Sequence, residues 1–285
     1  MEIICNELSF YPLAENSYHA EERFRTLIRA FREAKTKYDF THIRFPLNYS
    51  EQEVISTQSL FEWVSSLNNR TLKNLILDLL KPPYTDDLED EEMERFFESD
   101  YSIADQQAPK RDLPLGLPVA YIKSVPCISL NSHAFWQSRK IQISKIGGTA
   151  NESTTFYVYN ICLDSDLTSD QINEWAENSF PEFIESIELL QKYLGYNKFQ
   201  TKFLDDFKEQ LFEWKNTDVE TFKYVLLLMK DVELHPFTGG RGRTENLRNR
   251  GKEASKRINI NDRLSYSIEN DIVTFIACRG HYEFH

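Results

Sequence analysis

Apolar residues along this chain follow two spacings, and the alternation between them lays out its elements. From Ser17, Phe24, Leu27, Ile28 and Phe31 recur three and four apart, the period of one buried helical face, and Lys35 and Lys37 suit its carboxyl end. Ahead of it, residues 3–10 (IICNELSF) read as an opening strand closed by a Tyr11-Pro12 turn. Residues 40–47 (FTHIRFPL) alternate as a strand does, with Pro46 marking an edge or an end, and Ser50 is placed to cap a short helix. The apolar positions of 58–80 predict two helices parted at Asn68-Asn69 and stopped by Pro82-Pro83.

The pattern then loosens. Charged positions over 86–100 are acidic except for Arg95, interleaved with Met93, Phe96 and Phe97; a solvated connector or a surface that docks on a partner both fit. Residues 104–118, with Pro109, Pro114, Gly116 and Pro118, read as an extended loop, and 84–118 is expected as a mobile segment of the first domain. Three strand candidates follow at 119–130, 139–146 and 154–163, the first interrupted by Pro126 and the last two joined by a hairpin at Gly147-Gly148. Residues 168–195 read as helical, capped by Thr168 or Ser169, restarted at Pro181 and closed by Gly195. Beyond a boundary near 195–198 come a short strand from Phe199, then a helix carrying Phe203, Phe207, Leu211 and Trp214. A turn at Asn216-Thr217-Asp218 leads to a helix over 219–231, and two strand-like runs follow at 261–269 and 271–280. The expected class is α+β: a larger mixed α+β domain over 1–197 and a smaller one over 198–285.

Composition adds a charge asymmetry. The chain carries a net charge of -12, which by itself argues against a nucleic-acid partner. Basic and acidic residues nearly balance over 198–285, however, so the acidic surplus falls on 1–197. No apolar window reaches the length of a membrane span, and the start lacks a basic leader segment. Cys5, Cys127, Cys162 and Cys278 are scattered without disulfide or zinc spacing. The expectation is a cytoplasmic protein with buried thiols, no membrane partner, no metal and no cofactor.

The chemistry concentrates after His235. Arg241, Arg243, Arg248, Arg250, Lys252, Lys256, Arg257 and Arg263 form a cationic stretch interrupted only by Glu245 and Glu253 up to Arg257. Guanidinium forks suit phosphate oxygens, so the pattern points to RNA or another polyanion. A salt-bridged surface is the alternative. Glu245, Arg263 and His281 could together serve metal-independent RNA cleavage, with a base for the ribose 2′-hydroxyl, a cation for the phosphate and an acid for the leaving oxygen. Spacing alone does not identify that reaction.

Ordered motifs over this stretch are more specific. WKNTDVETFKYVLLLMKDVELHPF, HPFTGGRGRTENLR, SKRININDRLSYSI and IACRGHY together resemble a YoeB-type toxin of the RelE superfamily, the ribosome-dependent mRNA interferases. The resemblance implies a twisted antiparallel sheet preceded by two helices. It implies Glu245 as general base, Arg263 as the cation on the transition-state phosphate, His281 as general acid and Tyr282 as the aromatic that orients RNA. Arg257 is implied as a second phosphate contact, Arg248 stands at a position usually basic in that family and Lys256 is a further phosphate-binding candidate, while the cationic pattern adds Arg241 and Arg243 as RNA or phosphate contacts. mRNA and the ribosomal A site are the implied targets, and the resemblance admits a cognate antitoxin and a homodimer.

Three departures stand out. Asp262 replaces the histidine common before the strand arginine, Gly251-Lys252-Glu253-Ala254 lacks the usual aromatic character, and Glu283, Phe284 and His285 follow the tyrosine. Residues 1–197 lie outside the resemblance. A regulatory role as internal inhibitor, a recognition role that includes phage defence, and an assembly role are all open for them. For the whole chain, a catalytically weak RNA- or ribosome-binding module and a structural interaction protein are the competing readings.

Overall fold

The computed structural model describes residues 1–111, 113–147, 152–246 and 253–280, and divides into two compact units, Met1–Trp175 and Ala176–His285. In the first unit, β1 (Glu2–Cys5) leads into α1 (Ser17–Tyr38) and then β2 (His42–Arg44). A small β3 (Glu53–Ile55) and β4 (Gln58–Ser59) ribbon precedes α2 (Leu60–Ser66) and α3 (Arg70–Leu79). Next come α4 (Asp90–Phe97), β5 (Ser99–Ile103), α5 (Gly116–Ile122), β6 (Cys127–Ile128), β7 (Lys140–Gly147), β8 (Glu152–Ile161) and α6 (Asp170–Asn178), within which the division falls. The sheet order is β2-β1-β6-β8-β7-β5. Its first four strands are parallel, while β7 and β5 pair antiparallel. Helix α1 forms for the reasons its spacing predicts. Asn16 accepts from the His19 N–H at its start, and Ala20, Phe24, Leu27, Ile28, Phe31 and Ala34 are buried.

Several expectations for this unit are corrected. The opening strand stops at Cys5, and Glu7–Phe10 is a 3-10 turn; around Ser50 there is a 3-10 turn (Tyr49–Glu51) without a side-chain cap. The strand expected from 119 is mostly helix α5, and only Cys127–Ile128 pairs. The Glu7 carboxylate accepts the Leu115 and Gly116 N–H groups at the start of α5, at 2.7 and 2.9 Å. A Cβ on Gly116 would lie 2.0 Å from the Cys5 carbonyl oxygen, so only glycine allows that approach. Within 84–118, expected as a mobile segment, α4 and β5 are formed and fastened, while 104–115 carries no helix or strand among its described residues. Phe96 of α4 stacks on Tyr101 with ring centroids 5.7 Å apart, Glu92 meets Lys123 at 2.6 Å, and β5 pairs with β7 over five residues. Phe97 remains 75% exposed among the acids of α4. The β7–β8 pair forms in register from Lys140–Tyr159 to Gly147–Glu152, while Gly148 of the expected turn lies outside the described residues.

The second unit adds α7 (Ile187–Leu194), β9 (Gln200–Phe203), α8 (Asp205–Thr217), α9 (Val219–Leu234), β10 (Glu245–Asn246), β11 (Glu253–Arg257), β12 (Arg263–Glu269) and β13 (Ile272–Ala277). It begins earlier than the expected boundary near 195–198 because the stretch before Gly195 is fastened to α8 and α9. Lys215 donates to the Ile184 carbonyl at 3.0 Å, Lys223 meets Glu182 at 3.1 Å, and Lys230 lies over the Tyr193 ring. The sheet order is β10-β11-β12-β13-β9, antiparallel except that β9 runs parallel to β13. Two helices and three strands separate β9 from β13 in sequence, long enough for the crossover a parallel pair needs. Phe203 ends β9 instead of opening the helix. Strand alternation sends Ala254, Leu264, Tyr266, Val273 and Phe275 into a core with Phe207 and Leu211 of α8 and Phe222, Val225, Leu226 and Met229 of α9. All four cysteines are free and buried. Among the described residues, no helix is long and apolar enough to cross a membrane.

Candidate functional site

The pairing of β10, β11 and β12 brings three of the sequence-predicted residues, Glu245, Arg257 and Arg263, to one sheet face. Glu245 lies opposite Ser255, Ser255 opposite Ser265, and Arg257 opposite Arg263. Directly paired residues point to the same side of an antiparallel sheet, and positions two apart share that side. Glu245, Arg257 and Arg263 therefore occupy one face within two residue steps of each other. Glu245 and Arg257 are exposed; Arg263 is only 6% exposed. Its Nη1 donates to the carbonyls of Asn259 at 2.8 Å and Asp262 at 3.0 Å, which holds the guanidinium against the turn that precedes β12. Arg241 and Arg243 are exposed on the loop before β10. Arg248, His281 and Tyr282 lie outside the described residues.

Lys256 does not join this group. Alternation places it on the opposite face from Arg257, where it is fully buried. Its Nζ donates to Asp231 Oδ2 at 2.6 Å and to Thr244 Oγ1 at 2.7 Å. The expected phosphate contact is thus corrected: the ammonium is enclosed and occupied. Asp231 itself went unnoticed in the sequence. A signal was present, because an acid in the last turns of a helix opposes the macrodipole unless a cation answers it.

Burial works to raise the Asp231 carboxyl, but hydrogen bonds from Lys256 and His235, the Lys256 charge and the Arg241 N–H outweigh it. The group is held below the usual aspartate range. A depressed folded value contributes stability above the unfolded value, about 3.9, and that stability is lost as pH falls through the folded one. The expected result is a melting temperature that drops on acidification below about pH 4, with a shallower drop for Asp231→Asn. Parallel melting curves for the two proteins over that window would contradict this.

The chain leaving β13 is positioned with equal care by α8. Gln210 Oε1 accepts from the Cys278 and Arg279 N–H groups at 2.8 and 3.0 Å, and Trp214 Nε1 donates to the Cys278 carbonyl at 3.0 Å. The Arg279 guanidinium lies 4.0 Å from the Trp214 ring centre and bonds Glu213 at 2.7 Å. Asp262, the departure noted in the sequence, accepts the Gly280 N–H at 2.8 Å. It ties the last described residue to the position next to Arg263. A histidine there would not supply the same carboxylate acceptor.

Residues 199–282 match the family described as YoeB-like toxin of bacterial type II toxin-antitoxin system. Toxin YoeB of Escherichia coli (strain K12) and of Shigella flexneri are each 37% identical to this chain over 70 residues, which are 24% of this chain and 82% of either toxin. Among solved structures, the YoeB dimer from Staphylococcus aureus is similar at 24% identity, covering 30% of this chain and 100% of that one, with a TM-score of 0.29. A YoeB/ParE toxin from Agrobacterium tumefaciens is similar at 24% identity over 29% of this chain and 99% of that one, with a TM-score of 0.27. These matches lie in the C-terminal region.

Proposed function

The chain belongs, through residues 199–282, to the YoeB-like toxins of bacterial type II toxin-antitoxin systems, and from that premise we propose that it is an endoribonuclease cleaving mRNA at the ribosomal A site. The observation that carries the proposal is the register placing Glu245, Arg257 and Arg263 on one face of the sheet. Glu245 takes the proton of a ribose 2′-hydroxyl as its oxygen attacks the adjacent phosphorus. The guanidinium groups of Arg257 and Arg263 bind the phosphoryl oxygens as charge builds on them. The bond from phosphorus to the 5′-oxygen breaks, and His281 supplies the proton that oxygen requires. Tyr282 stacks on a base and sets its orientation. The products are a 2′,3′-cyclic phosphate and a 5′-hydroxyl, and no metal enters the scheme. Arg241, Arg243 and Arg248 add phosphate contacts along the RNA. The family description supports an antitoxin as partner, and the acidic first unit is proposed to control the second.

The test adds the intact chain, Glu245→Ala and His281→Ala to translating ribosomes and maps the cut ends of the mRNA. Cyclic phosphate ends from the intact chain alone are the expected result. Binding without cleavage by the intact chain would instead assign it as an RNA- or ribosome-binding module. Residues 176–285, checked for folding by circular dichroism, should cut faster than the intact chain; equal rates would reject control by the first unit.

A further inference from the structure

The loop that delivers Glu245 is fastened from the helix side of the sheet, and we propose that Lys256 and Asp231 are positioning residues for the cleavage site, a role that rests on the nuclease reading for its catalytic consequence. Three acceptors surround the Lys256 ammonium: Asp231 Oδ2 at 2.6 Å, Thr244 Oγ1 at 2.7 Å and the Arg241 carbonyl at 3.4 Å. They match its three protons. Asp231 Oδ2 also accepts the Arg241 N–H at 2.9 Å, while its Oδ1 lies 2.9 Å from His235 Nδ1. The Thr244 hydroxyl in turn donates to the Gly239 carbonyl at 2.7 Å, and Tyr266 donates to the Pro236 carbonyl at 2.7 Å. One buried ion pair thus grips the loop at both Arg241 and Thr244, and Glu245 is the next residue.

The glycines of this loop fit the same arrangement. At Gly240, with φ of +70°, a Cβ would lie 2.1 Å from Asp231 Oδ2; at Gly242, with φ of +69°, it would lie 2.7 Å from the Arg257 carbonyl oxygen. The backbone comes this close because it must pass over the carboxylate and dock on β11, where the Arg257 N–H donates to the Gly242 carbonyl. A fully buried lysine is a poor way to gain stability, since well-packed apolar residues often do as well or better. What an apolar side chain cannot do is direct three hydrogen bonds into a loop. The pair faces away from Arg257 and Arg263, so its effect on chemistry passes through the placement of Glu245.

The experiment compares the intact chain, Lys256→Met, and the double variant Asp231→Asn with Lys256→Met, which leaves neither charge unpaired. Amide hydrogen exchange over residues 239–245 and the kcat and KM for mRNA cleavage on translating ribosomes are measured for each. Lys256→Met is expected to lose protection in 239–245 and to lower kcat by on the order of 10²-fold, as misplacing a reacting group by about 1 Å does, with KM little changed. The double variant is expected to recover thermal stability while kcat and loop protection stay low. Recovery of all three in the double variant would overturn the proposal and leave the pair a stability element; so would wild-type protection and kcat in Lys256→Met. Should Lys256→Met fail to fold, the double variant gives the same decision. If the intact chain cleaves no mRNA, the nuclease reading fails, and exchange over 239–245 still decides whether the pair holds the loop.

Discussion

Replacing Arg263 by alanine is expected to lower mRNA cleavage by on the order of 10²–10³-fold, the usual consequence of removing one group that stabilises developing charge. The guanidinium sits almost wholly out of solvent at the start of β12, opposite Arg257. In such a place a charge acts on its neighbours with less screening than at the surface. It is also held before any substrate arrives, because Nη1 is already bonded to the carbonyls of Asn259 and Asp262. The loss should therefore appear in kcat more than in KM. Alanine also strips those carbonyls of a donor, so folding has to be followed beside activity. Arg263→Lys separates the two effects: it keeps the charge but not the planar fork, and should cut better than alanine and well below the native chain. A folded Arg263→Ala protein that cleaves at the native rate would remove Arg263 from the proposed chemistry.

The largest loss of stability is expected from Phe275→Ala, about 3–5 kcal/mol. Phe275 lies in β13 between its partners β12 and β9, fully buried. Its ring stacks on Phe203 at 5.6 Å and on Phe207 at 5.5 Å, which joins β9, β13 and α8 through three aromatic side chains. Truncation leaves a cavity where those elements meet, and close-packed surroundings collapse only in part. Exchange of the β12 and β13 amides under increasing denaturant measures the change. Phe61→Ala, at a side chain 61% exposed, is the control and should shift stability by less than about 0.5 kcal/mol. Equal shifts for the two would show that the aromatic cluster does not hold the sheet.

Much of the second unit was legible because its elements are strongly periodic and its turns explicit. Asp218 accepts the Thr221 N–H at the start of α9, as the Asn216-Thr217-Asp218 turn suggested, and Gly195 closes α7 with φ of +58°. The first unit was less legible. Residues 119–122 are an apolar run too short for periodicity to separate helix from strand. The choice there rests on Glu7 and on the space beside Cys5, more than a hundred residues earlier in the chain. The acidic segment hid its structure for another reason. Two of the interactions that hold α4 and β5, Glu92 with Lys123 and β5 with β7, are long-range.

The stretch from His235 onward separates the two kinds of information. Ordered motifs were enough to place a toxin-like domain at the carboxyl end, and their resemblance to the YoeB-type toxins to make Glu245, Arg257 and Arg263 candidates, because motif order is a short-range property. It was not enough to sort the cations by role. Lys256 and Arg257 are neighbours of the same charge, yet one is enclosed beneath the sheet and the other lies open beside Arg263. Strand alternation tells them apart only as opposite faces. Which face is closed was decided when α8 and α9 packed onto one side of the sheet and Asp231 met the ammonium there. Burying a charge requires a partner at contact distance, and tertiary packing supplied that partner from a helix 25 residues before Lys256 in the chain.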